Sequence, residues 1–165
     1  MTVSHPPLGE QGEYALAGLG AGKGLSRGTK VVTNGKGGVA LGTVFAAPHA
    51  PKRDKDGEST RRGQLLRVAS EQDLRAQEQG EARKLDLLRK TLRFLREREL
   101  SLRVVDLFVD GLAGRVIVCV LGNDEDDHDY GAVVAELGRA LAMRVELRQL
   151  GDRDQSRLVG GVGRC

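Results

Sequence analysis

The chain has 165 residues, 26 Lys or Arg against 23 Asp or Glu, a formal net charge of +3, and few aromatic residues: three Phe, two Tyr and no Trp. That length holds one ordinary domain or two small ones around a core of Leu, Val and Ala, and the scarcity of rings leaves few platforms on which single-stranded nucleic acid could stack. Two cysteines, Cys119 and Cys165, are too few for a disulfide framework, and no apolar run reaches bilayer-spanning length, so a cytoplasmic protein without membrane insertion is expected.

Residues 1 to about 12 read as a loose leader without a basic start or an apolar signal core. From Glu13 the segments EYALAG, TKVVT and VALGTVFAA are short and β-prone, and glycine-rich turns separate them. Asn34-Gly35 marks a tight hairpin. Residues 48–63 carry Pro, Gly and dense charge with no apolar period and read as a mobile loop, after which QLLRVA rejoins the first unit. The expectation is a small N-terminal β barrel or antiparallel sheet over residues 12–68.

A second domain is expected over residues 70–165. Ser70 and Asp73 form a capping box with Asp in place of Glu, opening one long helix toward Glu99. Leu74 begins its apolar record; Leu85, Leu88, Leu92 and Leu95 then recur at three-and-four spacing, with Arg83, Lys84, Arg89, Lys90, Arg93 and Arg96 around them. Gly80 weakens the middle and predicts a bend there. SLRVVDLFVD and RVIVCVLG follow as strands joined through Gly111 to Gly114, and the second is apolar on both faces, as a central strand is. Tyr130, Val133, Val134, Leu137 and Leu141 define another helix, with Asp129 as its N-cap. Val145 and Leu147 alternate with charged residues in a last strand. The order αββαβ gives a three-stranded sheet with two helices over one face and the other face open to a partner, so the fold class is α+β.

Constellations that could carry chemistry are sparse. GLGAGKG at 18–24 lacks the Gly at 17 and the Ser or Thr at 24 that a phosphate loop needs, and no helix follows it, so it reads as a hairpin turn. Asn123, Glu125, Asp127 and Asp129 alternate as calcium ligands do, but His128 takes the glycine position and Val134 the closing carboxylate position. His128 has no second ligand at metal spacing; His5 and His49 lie in proline-containing loops. Cys119, between valines, reads as a small core residue. No nucleophile, base and orienting group assemble, so neither an enzyme nor a small-molecule substrate is expected. The basic helix 83–96, with the open sheet face, supports a second reading as an RNA-binding module whose affinity would fall with salt.

The C-terminal run RVELRQLGDRDQSRLVGGVGRC, with LLRVASEQDL and the hairpin LRVVDLFVDGLAGRVIVCVLG, resembles the PSP (polymerase suppressor) C-terminal-domain family. LSRGTKVVTNGKGGVALGTVFAAP is similar to the β part of the same proteins. The resemblance implies a non-catalytic cytosolic regulator that assembles with small helical proteins in a complex linked to mRNA processing by an endoribonuclease and to sporulation, competence and biofilm decisions. It places the working surface in the tail 151–165 and the strand before it: Arg148, Asp152, Arg153, Asp154, Gly160, Gly161 and Gly163 for partner contacts, with Cys165 as a metal ligand. The family is also associated with iron-sulfur clusters. Here only Cys165 of its CGR-x-x-CC segment is matched, so a cluster requires that the chain continue or that partners supply cysteines.

Overall fold

The computed structural model describes residues 1–16, 25–46, 61–100, 102–121 and 130–151, and the architecture is that of these residues. The chain divides into two compact units, Met1–Ala76 and Gln77–Cys165. The fold is α+β: a closed barrel and a three-stranded sheet, with three helices.

In the first unit, β1 (Thr2–His5), β2 (Glu10–Leu16), β3 (Lys30–Gly35), β4 (Gly38–Ala46) and β5 (Arg61–Val68) close in the order β1-β2-β5-β3-β4, with β4 paired back to β1. Alternation places Val3, Val31, Val44 and Leu65 inside, each at most 1% exposed, and closure leaves no strand edge open. Three expectations change here. Residues 1–12 are not a leader: Val3 and Leu8 are buried, and β1 lies between β2 and β4. One apolar residue among TVSH is too little period for a sequence reading to register. The barrel is not wholly antiparallel, because β2 and β5 run parallel. The hairpin turns at Lys36-Gly37, since Asn34 pairs with Val39 and Gly35 with Gly38, where φ is +88°. Of the expected loop 48–63, residues 61–63 already belong to β5; residues 47–60, like the 18–24 segment, lie outside the described residues.

In the second unit, β6 (Arg103–Asp110), β7 (Arg115–Leu121) and β8 (Arg144–Gln149) lie in that order, β6 antiparallel and β8 parallel to the central β7. The hairpin through Gly111 to Gly114 forms as expected, with Gly114 at φ +62°. The single long helix is two: α1 (Glu71–Ala82), which begins in the first unit and ends in the second, and α2 (Lys84–Glu97), parted at Arg83. Gly80 is not the break. It lets α1 approach the hairpin, since a Cβ there would meet Val109 Cγ1 at 3.0 Å and Gly111 Cα at 3.4 Å. Gln77 fixes the same approach, donating to the Val109 carbonyl at 2.8 Å and accepting from the Gly111 N–H at 3.1 Å. α2 and α3 (Tyr130–Leu141) cover one sheet face, where Leu87, Phe94, Leu95, Val133 and Leu137 meet Leu107, Val116, Val118 and Val120. The opposite face is not open along its middle: Ile117 is 5% exposed and Cys119, in the core as expected, 0%.

Candidate interaction surface

The chemistry this unit presents is concentrated on α2. Its buried side is Leu87, Thr91, Phe94 and Leu95, spaced by four, three and one. Thr91 fits among apolar neighbours because its hydroxyl donates to the Leu87 carbonyl, 2.9 Å away, within the helix. The expected stripe of Leu85, Leu88, Leu92 and Leu95 is therefore only in part the core face. Leu95 is buried and Leu88 packs against the core, but Leu85 is 57% exposed and Leu92 42%. Phe94 was the residue that the leucine spacing hid.

Beside Phe94, α2 and α3 border a groove of about 760 Å³ whose lining includes Lys90, Arg93, Arg98 and Arg139 with Glu97 and Glu136. Arg98 lies with its guanidinium carbon 4.1 Å from the Phe94 ring centroid and donates to Glu136 at 2.7 Å, so one wall is fixed by a cation–π contact and an ion pair. Lys90 bonds Asp86 one turn back at 2.8 Å and holds that carboxyl below its ordinary pKa. Lys84 reaches down to Asp106 at 2.9 Å. Residues 83–98 hold seven basic and two acidic side chains, a local excess of five positive charges within a chain whose total is +3.

Of the residues expected to form the working surface, Arg148 is on β8, half-buried and in register with Cys119 of β7. Asp152, Arg153, Asp154, Gly160, Gly161, Gly163 and Cys165 lie outside the described residues, as do Asn123 to Asp129 and His49. His5 is at the end of β1 rather than in a loop, its Nε2 2.7 Å from the Thr33 hydroxyl and its ring stacked on Tyr14. Two charged knots form, of which the sequence had shown only the Ser70–Asp73 capping pair. Arg67 and Ser70 converge on Asp73 in the first unit. In the second, Asp110 and Glu146 both bind Arg115 at 3.2 and 3.1 Å. Both pair residues that only strand register or a capping turn brings together.

Cys119 is the cysteine among the described residues, and no three His, Cys, Asp or Glu side chains gather there. One thiol buried in a central strand does not fit the ligand set of an iron-sulfur cluster. Among the described residues no helix is long and apolar enough to cross a membrane.

Barrel, helix-covered sheet and basic helix define an α+β protein. No protein-family model matches the chain. No solved structure matches it. Among curated proteins, the stage 0 sporulation protein YaaT of Bacillus subtilis is 28% identical over 101 residues, which take in 61% of this chain and 36% of YaaT. The chain is thus similar to YaaT over a stretch that spans little more than a third of that protein's length.

Proposed function

We propose that this chain is a non-enzymatic, cytoplasmic regulatory adaptor acting in a cell-fate programme. The observation that carries the reading is its similarity to YaaT, whose name attaches it to stage 0 of sporulation. In its finer form, resting on the resemblance of the C-terminal run to PSP C-terminal domains, the adaptor assembles with small helical proteins and an endoribonuclease to influence mRNA processing. Arg148 and residues 152–165 are its proposed contact surface, and any iron-sulfur cluster would need cysteines from partners or from further chain.

Affinity purification of the full chain from native lysate tests this. A defined set of proteins should co-purify, and Arg153→Ala should deplete it. An equally empty eluate from both forms would overturn the reading.

The excess of five positive charges over residues 83–98 favours a second reading, an RNA-binding module. The buried Ile117 and Cys119 remove the middle of the sheet face from that proposal and leave α2 with the groove beside it. Affinity for a labelled single-stranded RNA should then fall steeply with added salt and fall further in Arg93→Ala/Arg139→Ala. Salt-independent or absent binding would remove it.

A further inference from the structure

α2 carries two apolar sides, and the core uses one. Leu87, Thr91, Phe94 and Leu95 face the sheet. Leu85, Leu88 and Leu92, spaced by three and four, run along a second line set about 100° around the helix from the first. Lys90, Phe94 and Arg98 look toward α3, so the leucine line lies on the flank opposite that helix. The exposed members, Leu85 and Leu92, are one heptad apart, which is the spacing of successive a positions in a helix seam, with Leu88 at d.

Arg89 and Arg96 follow Leu88 and Leu95 by one residue, at the e positions that border such a seam. Both are exposed, and neither has an ion pair among the described residues. A second copy of α2 laid antiparallel on this flank would bring arginine against arginine, and a parallel one Arg89 against Lys84, so like charges disfavour self-pairing either way. An acidic partner reverses that sign.

We propose that the Leu85–Leu88–Leu92 flank of α2 is a docking seam for an amphipathic helix of another protein that presents leucine-type residues at its own a and d positions and Asp or Glu beside them. The leucines supply apolar burial in a helix-on-helix contact, while Arg89 and Arg96 select the partner by charge and set its register. The seam uses none of the residues of the contact surface proposed above, so the two proposals are tested by different substitutions and can fail independently.

The probe is a synthetic three-heptad peptide with Leu at a and d and Glu at e and g, fluorescently labelled and titrated with the full chain. A matched peptide with Lys at e and g serves as its opposite. The acidic peptide should bind and the basic one should not. Leu85→Gln/Leu92→Gln, which keeps every charge, should weaken binding at least tenfold. Arg89→Glu/Arg96→Glu should exchange the preference for the two peptides, while Arg93→Glu/Arg139→Glu on the α3 side should change it less than twofold. These substitutions are at exposed positions, and circular dichroism checks that each variant keeps its helices. Equal binding by the wild-type and Leu85→Gln/Leu92→Gln proteins, no binding of the acidic peptide, or self-association that Leu85→Gln/Leu92→Gln abolishes would each overturn the proposal.

Discussion

Asp73 receives three kinds of donor at once. The Arg67 guanidinium binds both of its oxygens, and the Ser70 backbone N–H and hydroxyl reach Oδ2 at 2.7 and 2.8 Å, while Asp73 N–H donates back to the Ser70 hydroxyl at 3.3 Å. The Arg67 bonds first, then those from Ser70, hold its carboxyl far below the ordinary aspartate value. A depressed folded-state pKa contributes stability that is complete above the unfolded value near 3.8 and is lost as pH falls through the folded one. Asp73→Asn should therefore cost about 1 kcal/mol at neutral pH as a lost cap, and the gap to wild type should close only below about pH 4 in acid-unfolding curves. A gap unchanged at pH 2.5 would contradict the linkage. Ser70 and Asp73 were legible as a pair because a capping box is local; Arg67 was not, since its role depends on where β5 delivers it. Gly63 is a residue whose identity the neighbouring backbone dictates. A Cβ there would overlap the Asn34 carbonyl oxygen and stand 2.8 Å from Gly35 Cα, so Gly63→Ala should lower stability by about 3 kcal/mol in urea titrations.

At the level of elements, two helices end the same way without the residue that usually signals it. After α2, the Glu99 N–H bonds the Arg96 carbonyl at 3.1 Å and the Leu100 N–H the Leu95 carbonyl at 3.0 Å; after α3, Ala142 bonds Arg139 at 3.3 Å and Met143 bonds Gly138 at 3.1 Å. Each is a Schellman closure, and Leu100 and Met143 pack on the core as its apolar clamp. Glu99 and Ala142 consequently hold φ of +53° and +50°, conformations that cost a side chain roughly 1 kcal/mol. Ala142→Gly relieves that strain at some entropic cost in the unfolded chain, so a net gain of about 0.5 kcal/mol is expected from thermal unfolding, and Ala142→Val should lose stability. The helix ends were legible, near Glu99 and at Leu141, but their closure was not, because its usual sequence signal is a glycine and Glu99 and Ala142 stand there instead. The strand hairpin β6–β7 was legible throughout, since Gly111 and Gly114 flank two strongly β-prone runs. The split of the long helix at Arg83 had no signal in composition; there the Arg83 N–H bonds the Gly80 carbonyl at 3.1 Å, closing α1, while the Arg83 carbonyl accepts from Leu87 and opens α2.

Over the whole molecule, the fold class could be read because α+β order depends on patterns of period two and three to four, which survive without long-range information. What could not be read were pairings between segments far apart in the chain: β1 closing the barrel, β2 running parallel to β5, and the choice between Leu92 and Phe94 for the core. Those are decided by which faces meet, and the meeting is set by two separate cores. Leu65 is fully buried in the barrel cluster and Leu137 in the sheet-and-helix cluster, and the two clusters share no residue. Leu65→Ala and Leu137→Ala should each cost about 3 kcal/mol, the loss of a buried leucine whose surroundings collapse only in part. Because the two clusters have no member in common, their costs should sum within about 0.5 kcal/mol in the double variant, measured by urea unfolding or by exchange of the amides in β3 and β7. A departure from additivity above about 1 kcal/mol would mean that repacking in one core reaches the other.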